Sequence, residues 1–273
     1  VETTTRKSRI YHAGAATQRI ERAINETAGV EISTEAELVL KVRIFDDFCT
    51  FSIDTSGPAL HIRGHKEALN KAPMRETLAS LFLRQLGYDG SQTVVDPMCG
   101  SGTFPIEAAE QAAGLFPGRS RSFAFEKLAS FDQGKWDQLK QSAKPKQGVG
   151  QFFGFDRDMG AIRLSQDNAN RAAVGDMIQF QHAAISDLEP PDAPAGIVII
   201  NPPYGGRIGE RKMLFSLYGA MGQTLKTRFK GWKVGILTTD GGLAKATGLP
   251  FLPSLPPVPH GGKRVTLHRT DPL

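Results

Sequence analysis

Val94-Val95-Asp96-Pro97-Met98-Cys99-Gly100-Ser101-Gly102-Thr103 is the stretch that decides how this chain is read. Two β-branched residues and an acid mark the end of a buried strand, and the glycines after them a tight turn into a helix. Gly100 and Gly102 are expected to bring the backbone close to a ligand where any Cβ would collide. The helix that begins there offers it unpaired N–H groups. Asp96 stands where a cationic amine can be received. Position 105 is Pro rather than a third glycine, and no Lys-Ser or Lys-Thr pair follows the turn. Neither a dinucleotide fingerprint nor a P-loop fits.

Outward from this turn the pattern repeats. Upstream, Met74–Leu86 reads as a helix with Leu78, Leu81, Phe82 and Leu86 on one side, stopped by Gly87. Downstream, strands are expected at 93–95, 151–155, 178–182, 196–200 and 234–237, with helices at 104–113, 159–173 and 213–228 between them. Strand alternating with helix requires crossover connections, hence an α/β doubly wound, Rossmann-like parallel sheet covered on both faces. The segment 249–259 holds five prolines and reads as loop, followed by an edge strand at 264–268. Ahead of residue 66 the signals differ. An amphipathic helix (15–28), alternating strands (38–45 and 51–53) and a short strand (59–62) describe a small α+β unit. The expected division is 1–65 and 66–273.

Composition narrows the function classes. The chain has 273 residues, 40% of them hydrophobic, enough for a sizeable core in one large domain or two smaller ones. No run approaches the ~20 apolar residues of a membrane helix, and the polar, basic start lacks a secretory core. Two cysteines, Cys49 and Cys99, make neither a disulfide framework nor a zinc site. A reduced, cytoplasmic, metal-free protein is expected, and an opening on Val suggests a fragment. Charge is unevenly placed. Residues 1–66 balance nine basic against nine acidic groups, whereas 207–269 carry eleven Lys/Arg against Glu210 and Asp240, a local +9. Such a segment is either a solvated surface or an attractor of nucleic acid.

Three further motifs follow strands. Phe155-Asp156-Arg157-Asp158 places acids where a carboxylate accepts from both ribose hydroxyls. Asp156 is favoured because it ends its strand; Asp158 is the alternative, and either could cap the next helix. Asp187 is a candidate for an adenine amino group or, equally, a turn residue. Asn201-Pro202-Pro203-Tyr204 comes directly after the apolar run 196–200. Two prolines stiffen that elbow, so that Asn201 and the Pro202 carbonyl offer two fixed acceptors beside the flat Tyr204 ring. That set suits a planar exocyclic amine, whose growing positive charge during methyl transfer it would stabilise.

These motifs together resemble the class I S-adenosylmethionine-dependent methyltransferases. More narrowly they resemble the THUMP-containing RNA guanine-N2-methyltransferases, whose members are also labelled N6-adenine-specific DNA methylases. Supporting stretches are Tyr11–Ala16, Asp54–Gly64 and Ala72–Ala79. The resemblance implies that Asp96 and the turn Met98, Cys99, Gly100, Gly102 and Thr103 hold the methionine part of S-adenosylmethionine. Asp156, with Arg157 beside it, would take the ribose and Asp187 the adenine. Asn201, Pro202, Pro203 and Tyr204 would hold the target base. Residues 1–65 would be the later part of a THUMP RNA-binding module. The expected substrate is ribosomal RNA, with Arg207, Arg211 and Lys212 on flanking phosphates and Arg6, Lys7, Arg9 and His12 extending the footprint. Adenine-N6 methylation of DNA or RNA, a glutamine methylase and a non-catalytic RNA-binding protein are the alternatives.

Overall fold

The structure is a computed structural model that describes residues 1–66, 74–143, 150–204 and 211–273. Its chain divides into two compact units, one of 1–60 with 121–141, the other of 61–120 with 142–273.

In the first unit β1 (Glu2–Arg6) pairs in parallel with β2 (Val39–Phe45), which forms an antiparallel hairpin with β3 (Phe48–Asp54). The hairpin turns on Asp46 and Asp47, both at positive φ (52° and 59°), the two-residue geometry that matches strand twist. Helix α1 (Ala13–Ala28) supplies Ala16, which with Val42 and Ile44 makes the unit's small core. Residues 59–62, read above as a strand, are turn and coil; the third strand is β1, whose polar sequence Glu-Thr-Thr-Thr-Arg carries no apolar alternation. The segment 121–141, which ends in α4 (Gln133–Gln141), belongs to this unit for visible reasons. The Phe125 N–H donates to the Thr55 carbonyl (3.0 Å), Arg121 donates to the Ser56 and Pro58 carbonyls, and the stacked rings of Phe123 and Phe125 each meet Trp136 edge to face.

The second unit is built on a seven-stranded sheet. In chain order its elements are α2 (Glu76–Gln85), β4 (Val94–Asp96), α3 (Thr103–Ala112), β5 (Phe152–Asp156), α5 (Met159–Arg171), β6 (Ile178–His182), β7 (Ile197–Ile200), α6 (Arg211–Arg228), β8 (Lys233–Thr238), α7 (Gly241–Ala246), β9 (Val258–His260) and β10 (Lys263–Arg269). The strand order is β6-β5-β4-β7-β8-β10-β9; the first five are mutually parallel and β10 is antiparallel to both neighbours. The expected doubly wound sheet is therefore present. The segment read as an edge strand instead lies between β8 and β9, and the edge is β9, where a proline-rich run was read as loop.

Period-two alternation explains why these strands are apolar throughout. Val94, Phe152, Ile197 and Ile199 face one core layer, with Phe82 and Leu83 of α2 and Phe104 and Ala109 of α3. Val95, Phe153, Val198 and Ile200 face the other, with Tyr218, Met221 and Leu225 of α6. Each such side chain contributes roughly 1.5–3 kcal/mol by leaving water. On α2 the buried face is Ala79, Phe82, Leu83 and Leu86, while Leu81 is partly exposed, a one-residue rotation from the expected stripe. Two glycines set the packing distance. A Cβ on Gly196 would lie 2.2 Å from the Thr93 carbonyl oxygen, and one on Gly222 of α6 would lie 2.0 Å from that of Thr247.

Consecutive strands run outward in opposite directions from the β4–β7 pair: β5 and β6 on one side, β8 on the other. In open α/β sheets the crevice beyond the carboxyl ends of such a pair is where ligands bind.

Candidate active site

A cavity of about 1210 Å³ opens at that position. It exceeds the usual volume of a single small-ligand pocket, roughly 300–1,000 Å³, and so has room for two occupants. Asp96, Met98, Cys99, Gly100 and Thr103 line it after β4, Asp156, Arg157 and Asp158 after β5, and Asn201, Pro202, Pro203 and Tyr204 after β7. Residues separated by a hundred positions are thus brought to one crevice by the sheet order.

The β4 turn is held by its own hydrogen bonds. Asp96 Oδ1 accepts from the Met98 N–H (3.1 Å), and the Cys99 N–H donates to the Phe155 carbonyl (2.8 Å). Asp156 accepts from two backbone groups, the Gly100 N–H through Oδ2 and the Asp158 N–H through Oδ1, each at 3.0 Å. One carboxylate therefore ties the ends of β4 and β5 together. Asp158 Oδ1 accepts from the Gly160 N–H (2.8 Å) and caps α5. Burial pushes the Asp96 carboxyl well above the usual carboxylate range, the Met98 N–H pulling it back and the Asp156 charge adding to the rise. A buried carboxyl of this kind is primed to ionise when a cation arrives.

The β7 elbow is different. Asn201 Oδ1 is buried and has no hydrogen-bond partner. Pro202 is buried, and the hydroxyl of the fully buried Tyr218 donates to the Pro203 carbonyl (3.4 Å). The half-buried Tyr204 packs against both core layers.

Two residues expected at the cofactor do not line this cavity. Gly102, at φ 78°, would meet Ser165 Cβ at 3.1 Å and Ile106 Cδ1 at 3.2 Å if it bore a Cβ. It serves the packing and the turn at the start of α3 and is not among the residues that line the cavity. Asp187 follows a turn in which its N–H donates to the Ala184 carbonyl (3.0 Å), and it lines a separate cavity of about 400 Å³. Ala183, Ala184, Ile185 and Ser186 line the main one instead.

Among the proposed RNA contacts, Arg207 lies outside the described residues. Arg211 and Lys212 are exposed on the first turn of α6, Arg211 3.4 Å from Asp240. In the first unit Arg6 ends β1 and Lys7 follows at φ 52°. Arg9 is paired with Asp47 (2.9 Å), and His12 Nδ1 accepts from the Ala15 N–H (3.0 Å) to cap α1.

Sequence reading missed a buried charged group behind the glycine turn. Lys66 donates to the Thr103 hydroxyl (2.8 Å) and the Met74 carbonyl (3.0 Å) and lies 3.4 Å from Glu76. Arg63 makes a two-point bond to Glu107 (3.1 and 3.2 Å), and Arg119 sits 2.6 Å from Glu110. Burial pushes the Glu107 carboxyl up to about 7, with Arg63 opposing the shift. Glu107 and Glu110 on a buried helix were the available signal, because a carboxylate inside a core requires a cation.

Strand order, glycine turn, strand-end acid and proline-braced elbow define a Rossmann-like methyltransferase domain. The chain belongs to the RMKL-like methyltransferase domain family, which it matches over residues 63–250. It is 37% identical over 237 residues to the Synechocystis protein named "Putative RNA methyltransferase slr0064", covering 85% of this chain and 61% of that one. It is 40% identical over 212 residues to the Vibrio campbellii ribosomal RNA large subunit methyltransferase K/L, covering 75% of this chain and 30% of that one. The chain thus spans less than two thirds of these relatives. The crystal structure of SMU.472 complexed with SAH superposes with a TM-score of 0.85 at 26% identity, covering all of this chain and 74% of that one. Among the described residues no helix is long and apolar enough to cross a membrane, and no three His, Cys, Asp or Glu side chains group as metal ligands.

Proposed function

We propose that this chain methylates an exocyclic base amine in RNA, most concretely N2 of a guanine in 23S ribosomal RNA, with S-adenosylmethionine as the donor. The observation that carries this reading is the buried, unpartnered Asn201 Oδ1 in the same cavity as Asp96 and Asp156. Buried acceptors are normally paired, and one left open beside a ligand crevice is reserved for a donor that arrives with the substrate.

The donor-binding side fits S-adenosylmethionine. Asp96 suits the methionine ammonium, the backbone at Gly100 the chain beside it, and Asp156 a ribose. When bound, the cofactor supplies an electrophilic methyl carbon. Asn201 Oδ1 accepts one amine N–H and the Pro202 carbonyl the other, while the Tyr204 ring stacks on the base. Both acceptors stabilise positive charge developing on the nitrogen, and no strong base is needed. The base must leave its stack, from a loop or by flipping, to reach them. Residues 1–65 are assigned as the later part of a THUMP module. Arg6, Lys7, Arg207, Arg211 and Lys212 are assigned to RNA phosphates, and Arg9 only if it releases Asp47. Such an enzyme would act in the cytoplasm.

The test is methyl transfer from labelled S-adenosylmethionine to ribosomal RNA from a strain lacking the enzyme, followed by nucleoside analysis. N2-methylguanosine is expected. N6-methyladenosine would replace guanine by adenine, and label in protein or DNA alone would overturn the RNA reading.

A further inference from the structure

One wall of the cavity has no role in the reading above. His260 ends β9 and Lys263 begins β10, and the two pair directly across the hairpin. The residues between them, Gly261 and Gly262, both have positive φ (55° and 76°), which makes a two-residue turn of the twisted type that fixes its flanking side chains. A Cβ on either glycine would meet nothing within 4 Å, so backbone conformation alone requires glycine there. Arg75, immediately before α2, lines the same cavity as His260, Gly261 and Lys263.

Three properties set this wall apart. Arg75 and Lys263 are exposed, and among the described residues neither makes a salt bridge. His260 is buried, and its Nδ1 has no hydrogen-bond partner. Burial and the charges of Arg75 and Lys66 also hold its imidazole below the usual histidine range. Two exposed cations without a salt bridge among the described residues, and an imidazole with an open ring nitrogen, therefore share one wall. The β4 turn is buried at Asp96, Cys99, Ser101 and Thr103, whereas Arg75 and Lys263 are open to solvent. The cations are thus open to an incoming polymer, unlike the buried groups of the cofactor turn.

We propose that Arg75, His260 and Lys263 form a phosphodiester subsite that holds the backbone of the target nucleotide while its base reaches Asn201. Arg75 and Lys263 neutralise the phosphate, and the open Nδ1 of His260 supplies a hydrogen bond to the same nucleotide. All three are positioning residues. This inference rests on the RNA reading.

The experiment compares the wild type with Arg75→Ala/Lys263→Ala, His260→Ala and the conservative His260→Gln. Cofactor affinity is read by calorimetry, binding of a short single-stranded RNA by fluorescence across a salt series, and methyl transfer to undermethylated ribosomal RNA by KM and kcat. The double variant, altered only at exposed positions, is expected to leave cofactor affinity within twofold. It should raise KM for RNA about tenfold and flatten the salt dependence by roughly 0.7 per lost phosphate contact. His260→Ala should raise KM without changing the salt slope, and His260→Gln should recover part of the loss. Weakened cofactor binding with unchanged RNA affinity would overturn the proposal, because the cations would then hold the methionine carboxylate. Unchanged KM and salt slope in the double variant would also overturn it. A wild type without methyl transfer to RNA sinks the RNA reading itself, and is distinguished by being seen before any variant is made.

Discussion

Around the end of β4 the cavity wall is occupied with itself. Asp156 holds Gly100 and Asp158, Asp96 holds Met98, the Ser165 hydroxyl donates to the Gly100 carbonyl (3.1 Å), and Lys66 fixes Thr103. At the end of β7, across one strand boundary, Asn201 Oδ1 is buried and has no hydrogen-bond partner among the described residues. The first wall spends its hydrogen bonds on shape and keeps only spare lone pairs for a ligand. The second keeps a whole acceptor in reserve. A site that must bind one molecule in every turnover and distinguish another benefits from such a division: under the proposed function the cofactor side would be preorganised, and the substrate side satisfied only by the right amine.

The comparison breaks first, and with the largest effect, at Asn201. Asn201→Ala is expected to lower kcat by about 10²–10³-fold, the cost of losing one preorganised polar partner of the transition state. Cofactor affinity by calorimetry should be unchanged; a parallel loss of both would mean that the two walls are one site. Asp156→Asn acts on the other wall. Removing a charged acceptor costs about 1.5–3 kcal/mol, or roughly 10–100-fold in cofactor Kd, while kcat at saturating cofactor should fall much less.

A smaller effect sharpens the role of Asp96. Its carboxyl sits above the usual range because it is buried, and an ammonium group beside it would draw it down again. Cofactor binding should therefore release protons, and affinity should fall as pH is lowered. Calorimetry in two buffers of different ionisation enthalpy measures the protons released, and Asp96→Asn should abolish the difference. The smallest effect is expected at Tyr218→Phe, which removes the hydroxyl that donates to the Pro203 carbonyl. A loss of about 0.5–1.5 kcal/mol in stability follows from one hydrogen bond. A modest fall in kcat without a change in cofactor Kd would show that this brace serves the elbow alone.

Most of the sheet was legible because each of its buried strands is a short apolar run closed by a chemically distinctive turn. Val94–Asp96 with its glycines and Ile197–Ile200 with its prolines announce both the strand and its end. The helices between them followed from spacing. What escaped depends on partners distant in sequence. The polar β1 becomes a strand only because β2 accepts it, and β9 only because Gly261-Gly262 folds β10 back on it; that Gly-Gly pair was a readable hairpin signal amid prolines. The cavity's lining was legible wherever a residue ends a strand or directly follows one, as with Asp96, Asp156 and Asn201. Asp187 and Gly102 stand further along their turns; Asp187 lines the smaller cavity, and Gly102 packs where a Cβ would meet Ser165 of the distant α5. The basic wall at Arg75 and His260 joins residues from opposite ends of the domain, and only the sheet order brings them together.

An amide oxygen buried without a donor also has a consequence for the empty enzyme. It makes the unliganded fold less stable than the same fold with an apolar side chain there, by about 1–3 kcal/mol. Heat tolerance and turnover are thereby set in opposition at one atom. Selection for ruggedness alone would remove the group to which the proposed function gives the chemistry, and robustness in this domain would have to be gained in the apolar layers on the two faces of the sheet.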